Sequence, residues 1–277
     1  MNAVADIARI VPGNAAGIRL LRRSGQANGA TVVLLHGIGS NAASFEPLIA
    51  TLPASCDIIA WNAPGYGGSQ PVAAKHPSPA DYADALDKLV RALNLPPFVL
   101  AGHSLGCLFA ARFAASHSDR VRALALLSPA LGYRVSPGAA LPAGVQARID
   151  DIVALGPAEF AAKRAARLVH APERKPQVLA AVRAAMAAVD TAGYTQAVYA
   201  LGAGDLLADA ARIDAPVAVA VGAEDVVTPP ENARTLHAAL RRSAGFHEIP
   251  DAGHALPQES PAAVADILSE LLERHCG

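Results

Sequence analysis

Short apolar runs alternate with longer amphipathic stretches along most of this chain. Thr31–Leu35, Ile58–Trp61, Phe98–Ala101, Ala123–Leu127 and Ala215–Gly222 are compact and mostly apolar, and turn-forming or polar residues bound them. That pattern predicts buried parallel strands. Phe246–Ile249 adds a further short strand, and residues 1 to about 28 predict two antiparallel edge strands with turns at Gly13 and Gly25–Gly29. Between the runs the period changes. Tyr82, Leu86, Leu89, Val90 and Leu93 fall on one stripe of a helix predicted over Pro79–Leu93, the spacing of a helix laid on a sheet. Ser78-Pro79-Ala80-Asp81 opens it with a capping hydroxyl, a proline at the first helical position and an acid. Further helices are predicted near Asn41–Leu52, over Leu105–Ser116 and over Pro261–His275. Strands alternating with helices define an α/β architecture.

One interval breaks the rhythm. Between Leu127 and Val217 lie 89 residues, where a parallel crossover needs about a dozen. The excess is rich in alanine, contains no plausible strand, and is punctuated at Gly144, Gly156-Pro157, Pro172, Pro176 and Gly193. The expected organisation is a core of residues 1–129 and 207–277 with a helical cap, residues 130–206, inserted into it. Gly156-Pro157 and Gly193 are the points at which such a cap would flex. Its basic residues, Arg148, Lys163, Arg164, Arg167, Arg174, Lys175 and Arg183, interleave with acids such as Asp150, Asp151 and Glu159. That mixture predicts solvated helix faces, with capture of a substrate carboxylate as the minority reading.

The most informative motif is Gly102-His103-Ser104-Leu105-Gly106, set between a predicted strand and a predicted helix. G-x-S-x-G in that setting is a nucleophile elbow, a turn that forces its serine into a strained conformation and lifts the hydroxyl clear of the sheet. Glycines flank Ser104 because a Cβ at either place would strike the adjoining strand and helix.

A serine hydroxyl needs a base, usually a histidine steadied by a carboxylate. Asp225 lies just past the Ala215–Gly222 strand, at the sheet end where open α/β folds collect functional groups. Glu224 is the alternative acid. His254 lies in the loop after the last strand and before the final helix, so the chain order is Ser, Asp, His. His103 is read as packing. The backbone N–H groups of Leu105 and of Ile38, the latter in the glycine-flanked loop after Thr31–Leu35, are candidate oxyanion donors. His36 is read as a brace for that loop. Ser40, Tyr133 and Tyr194 are candidate pocket residues, Ser40 with helix capping as its competing role.

Together Leu35-His36-Gly37-Ile38-Gly39, Asn62-Ala63-Pro64-Gly65-Tyr66-Gly67-Gly68-Ser69, the elbow, Gly222-Ala223-Glu224-Asp225 and Gly253-His254 resemble the α/β-hydrolase superfamily over almost the whole chain. The resemblance implies a mostly parallel eight-stranded sheet flanked by helices, a helical cap inserted after strand 6, and hydrolysis through an acyl-enzyme. Members usually carry Asp where this chain has Asn62, at a position that organises a loop. Members cleaving carbon–halogen bonds or epoxides use an Asp nucleophile, which Ser104 excludes here. The stretch from Asp190-Thr191-Ala192-Gly193-Tyr194 through Asp205-Leu206 and on to Pro216 is similar to the cap-to-core return of enol-lactone hydrolases of aromatic-acid catabolism. Carbon–carbon hydrolases share the architecture but often have an aromatic residue after the catalytic histidine, where this chain has Ala255.

Composition narrows the rest. The chain has 277 residues, 17% charged and 52% hydrophobic, with a formal net charge of −1. It is therefore expected to be globular, with a small molecule rather than nucleic acid or membrane as partner, and as monomer or homodimer. No stretch has the length and apolarity of a spanning helix, and the first residues lack a secretory pattern. Cys56, Cys107 and Cys276 show neither a disulfide framework nor a metal spacing. A cytoplasmic location, with no metal and no cofactor, is the expectation. An ester or enol-lactone hydrolase leads, a carbon–carbon hydrolase acting on a vinylogous diketone is second, and a non-catalytic ligand receptor on the same fold is the reading from another class.

Overall fold

A computed structural model describes residues 9–136 and 138–276. Most of the N-terminal segment read for a targeting signal lies outside them. Eight strands form one sheet: β1 (Ile10–Ala15), β2 (Ile18–Arg23), β3 (Thr31–Leu35), β4 (Asp57–Trp61), β5 (Phe98–His103), β6 (Val121–Leu127), β7 (Val217–Gly222) and β8 (Ser243–Ile249). Their order is β1-β2-β4-β3-β5-β6-β7-β8. The first hairpin joins antiparallel and all later pairings are parallel. The hairpin turn falls at Ala16-Gly17, both at positive φ, while Gly13 sits inside β1 opposite Leu20. The expected turn at Gly13 is thus corrected: Asn14 and Ala15 continue the pairing past it.

The strands from β3 to β7 are buried on both faces, which is why they read as continuous apolar runs. Val33 and Leu35 belong to one core layer, Val32 and Leu34 to the other. Helices α1 (Glu46–Thr51), α2 (Pro79–Ala92) and α3 (Leu105–Ser116) lie within the first half of the chain. α2 begins with a complete capping box, Ser78 and Asp81 each bonding the other's backbone. On its buried side Tyr82 stacks on Phe109 of α3, ring centroids 4.1 Å apart.

After β6 comes a helical insertion: α4 (Ala143–Arg164), α5 (Pro176–Ala187) and α6 (Thr191–Ala203). α4 is two helical arms folded at Gly156, whose φ of 72° and ψ of 163° are non-helical, and Pro157 starts the second arm. Gly144 and Gly193, expected as breaks, instead lie in the first turns of α4 and α6. Gly193 serves close approach: a Cβ there would come 2.0 Å from the Gly65 carbonyl oxygen. The fold closes with α7 (Leu206–Ala210), α8 (Pro230–Ala238), α9 (Leu256–Glu259) and α10 (Pro261–His275). Among the described residues no helix is long and apolar enough to cross a membrane, and no cluster of side chains is arranged to hold a metal.

Candidate active site

Ser104 occupies the turn between β5 and α3 at φ 53°, ψ −115°, a conformation non-glycine residues rarely adopt. Its neighbours show why the turn is so tight. A Cβ on Gly102 would lie 2.4 Å from the Gly106 carbonyl oxygen, and one on Gly106 would lie 2.2 Å from that of Leu35. α3 therefore leaves the elbow pressed on the end of β3. A Cβ on Gly37 would come within 2.8 Å of the Ser104 Cβ. The loop after β3 is thereby laid against the serine.

The three residues expected from chain order converge. His254 Nε2 lies 3.0 Å from Ser104 Oγ, and His254 Nδ1 lies 2.9 Å from Asp225 Oδ2. A carboxylate only accepts, so Nδ1 carries the proton and Nε2 offers its lone pair to the serine hydroxyl. All three residues are buried. Burial by itself would raise the Asp225 carboxyl, but the neighbouring His254 and N–H donors from Thr228 and Val227 outweigh it and bring it down to about 2. Val227 N–H and Thr228 N–H donate to Asp225 Oδ1 at 2.8 and 2.9 Å. Glu224 is not in this network. Its backbone N–H bonds Ala252, and the carboxylate at the histidine is that of Asp225.

Thr228 belongs to no motif in the sequence. Its Oγ1 lies 2.9 Å from Asp225 Oδ2, 3.0 Å from the Ser128 carbonyl oxygen and 3.1 Å from His254 Nδ1. The only trace of it in the chain is a hydroxyl residue three places after the acid, a pattern that many turns share.

Two further histidines are structural. His36 Nδ1 donates to the Gly37 carbonyl at 2.8 Å, and Ala63 N–H donates to its Nε2 at 2.9 Å. It is a neutral brace between the loops after β3 and β4, and burial lowers its pKa to about 4. His103 Nε2 donates to the His254 carbonyl at 2.7 Å. Burial, then the adjoining His254, lowers its pKa to about 3. Asn62 accepts from Ala42 N–H through Oδ1 at 2.9 Å, so it orders the loop after β3 without a charge.

Ser104 and His254 open into a cavity of about 530 Å³ also bordered by Ile38, Leu105, Tyr133 and Tyr194. Tyr194 is buried, whereas Tyr133 is 48% exposed at the rim. Neither the Ile38 nor the Leu105 N–H donates to another group of the described residues. Ser40 is not part of this wall. Its Oγ donates to Ser44 Oγ at 2.8 Å, and the capping role beside it belongs to Asn41, whose Oδ1 accepts from Ser44 N–H.

An elbow serine, a histidine and a buried carboxylate in bonding sequence on this sheet define a serine hydrolase acting through an acyl-enzyme. The chain belongs to the alpha/beta hydrolase fold family, whose model matches residues 30–261. It is similar to the pimeloyl-[acyl-carrier protein] methyl ester esterase of Neisseria meningitidis serogroup B, with 30% identity over 226 residues covering 76% of this chain and 81% of the relative. Among solved structures it resembles the enol-lactonase from Burkholderia xenovorans LB400, with a TM-score of 0.82 and 25% identity, covering 95% of this chain and 100% of that one. A thermophilic esterase from Thermogutta terrifontis matches with a TM-score of 0.81 and 25% identity, covering 97% of this chain and 100% of the other.

Proposed function

We propose that this protein hydrolyses a carboxylic ester or enol-lactone of a small organic acid. The observation that carries the reading is the unbroken relay from Asp225 through His254 to Ser104, opening into a cavity of small-molecule size. In the first half-reaction Ser104 Oγ attacks the carbonyl carbon as its proton passes to His254 Nε2. Asp225 holds the imidazole in the tautomer that can accept that proton, and it offsets the imidazolium that forms. The Ile38 and Leu105 N–H groups, uncommitted and beside the serine, are assigned to the oxyanion, with the start of α3 adding its positive end. His254 then protonates the leaving alkoxide or enolate. Water, deprotonated by His254, releases the acid and restores Ser104.

Residues 130–206 form the cap in this reading, and Tyr133 and Tyr194 are walls of the pocket. Covering the serine strengthens the electrostatics of the reaction by excluding water. The names of the Neisseria esterase and the Burkholderia enol-lactonase both denote acyl–oxygen cleavage, which supports the ester or lactone over a carbon–carbon bond. A reducing cytoplasm fits three free cysteines. The test is turnover of p-nitrophenyl acetate and of an enol-lactone by wild type and by Ser104→Ala. Serine-dependent release is expected. A wild-type protein inert toward both, and unlabelled by a fluorophosphonate, would instead fit a ligand receptor on this fold.

A further inference from the structure

The cavity above Ser104 has an unbalanced wall. Arg148, Lys163, Arg164 and Arg167 border it, and among the described residues no Asp or Glu does. This occurs in a chain whose 23 basic residues are matched by 24 acidic ones. The fold of α4 gathers them. In an uninterrupted helix Asp151 and Lys163 would stand about 18 Å apart along the axis. Because the chain turns back at Gly156, Asp151 instead meets Lys163 at 3.3 Å and Arg164 at 2.6 Å. Arg148 on the first arm and Arg164 on the second thus border one cavity, with Arg167 just beyond the second arm.

Asp151 is one carboxylate between two cations. Arg148 and Arg167 have none: among the described residues, no carboxylate lies within 4.0 Å of either guanidinium. Arg167 donates to the Val226 carbonyl at 3.4 Å, and Arg148 lies beside the buried Tyr194. Like charges gathered around a cavity repel one another, a cost that a bound anion offsets. A neutral ester makes no use of such a wall. A carboxylate does, because the planar guanidinium fork matches its two oxygens.

We propose that the substrate is an ester or lactone that itself carries a carboxylate, held by Arg148 and Arg167 while the scissile carbonyl lies at Ser104. The inference rests on the hydrolase reading above and names the substrate class for the same site. Hydrolysis adds one water across the acyl–oxygen bond, and the distant carboxylate is unchanged by it.

Two matched pairs test the proposal. In one the carboxylate lies in the acyl half: p-nitrophenyl hydrogen adipate against p-nitrophenyl methyl adipate, read by p-nitrophenolate. In the other it lies in the alcohol half: 4-acetoxybutanoate against 4-acetoxybutanamide, read by released acetate. Wild type is expected to favour the carboxylate member of at least one pair by about tenfold to hundredfold in kcat/KM, the worth of a charge-assisted hydrogen bond. That ratio should shrink about tenfold in Arg148→Gln or Arg167→Gln, and also at 0.5 M salt. Arg148→Lys, which keeps the charge and loses the fork, should fall between, and it serves if a glutamine variant does not fold. Equal rates in both pairs, with normal fluorophosphonate labelling of Ser104, would overturn this inference and leave the hydrolase intact. A preference undiminished in both arginine variants would overturn the assignment to these residues. Absence of turnover together with absence of labelling would sink the hydrolase reading, and this one with it.

Discussion

Lys175 Nζ stands 3.0 Å from Glu259 Oε2, joining the start of α5 in the insertion to the end of α9 in the core. The Glu259 side chain is fully buried, and it also accepts from Gly253 N–H at 3.0 Å and His170 N–H at 2.9 Å. Gly253 directly precedes His254. One carboxylate thus ties the catalytic-histidine loop to the segment of the insertion laid over it, and Ala255 N–H to the Leu168 carbonyl at 2.8 Å adds a second tie.

Removing Lys175 should therefore be felt at the histidine. Lys175→Met leaves a buried carboxylate with only its two backbone donors. The expected cost is about 3 kcal/mol, the lower end for breaking a buried pair, or roughly 6–12 °C in Tm. Calorimetry with parallel ester kinetics checks it. A Tm within 2 °C of wild type would show that the pair contributes little.

Ser104→Ala should abolish fluorophosphonate labelling and reduce kcat by about 10⁴ or more, leaving the residual catalysis of the oxyanion site. The substitution also relieves little strain, since alanine at φ 53° is as unfavourable as serine. Folding should be unchanged by circular dichroism. Labelling retained at the wild-type rate would place the nucleophile elsewhere.

The strands and the triad were legible in the sequence because each is fixed by neighbours in the chain. Val217–Gly222 announces itself as a buried strand, and Asp225 follows it within a few residues. Ser104 is marked by the two glycines whose Cβ atoms could not fit. What escaped depends on contacts between distant segments. Glu259 gave no sign because its partners lie 6, 84 and 89 residues away. Arg148, Lys163, Arg164 and Arg167 border one cavity only once α4 folds at Gly156, which their spacing does not announce, and Gly193 looks like a break because its partner, Gly65, is far away in the chain.

Asp225 should leave a signature in acid. Its carboxyl has a folded pKa of about 2, below its ordinary value of 3.8. A depressed carboxylate contributes stability that is present above the unfolded value and lost as pH falls through the folded one. The contribution is about 2 kcal/mol, lost between roughly pH 4 and pH 2. Urea melts from pH 6 downward should show wild type losing more stability below pH 4 than Asp225→Asn does. The variant should also be nearly inactive at neutral pH, because an amide can hold the imidazole in the wrong tautomer. Parallel acid profiles for the two proteins would contradict the burial and bonding described for this carboxylate.

Gly193 and Gly144 provide a matched contrast within the insertion. Both lie in the first turn of a helix, so local propensity treats them alike, and alanine at either would favour the helix by roughly 0.5–1 kcal/mol. Their surroundings differ. A Cβ at Gly144 meets nothing within 4 Å, whereas one at Gly193 would lie 2.0 Å from the Gly65 oxygen and 2.7 Å from its carbonyl carbon. Gly65 cannot readily yield, being held at φ 82° in a loop closed by its N–H to the Ser69 carbonyl. α6 must then lift away from the core, carrying Tyr194, the next residue and a wall of the cavity. Gly144→Ala should leave Tm unchanged or raise it slightly. Gly193→Ala should destabilise by about 1–3 kcal/mol through overpacking and raise KM for the best ester more than it slows labelling of Ser104 by a small phosphonate. If Gly193→Ala behaved like Gly144→Ala in both measurements, α6 would be free to move on the core, and close seating of the helix on Gly65 could not be what shapes the pocket.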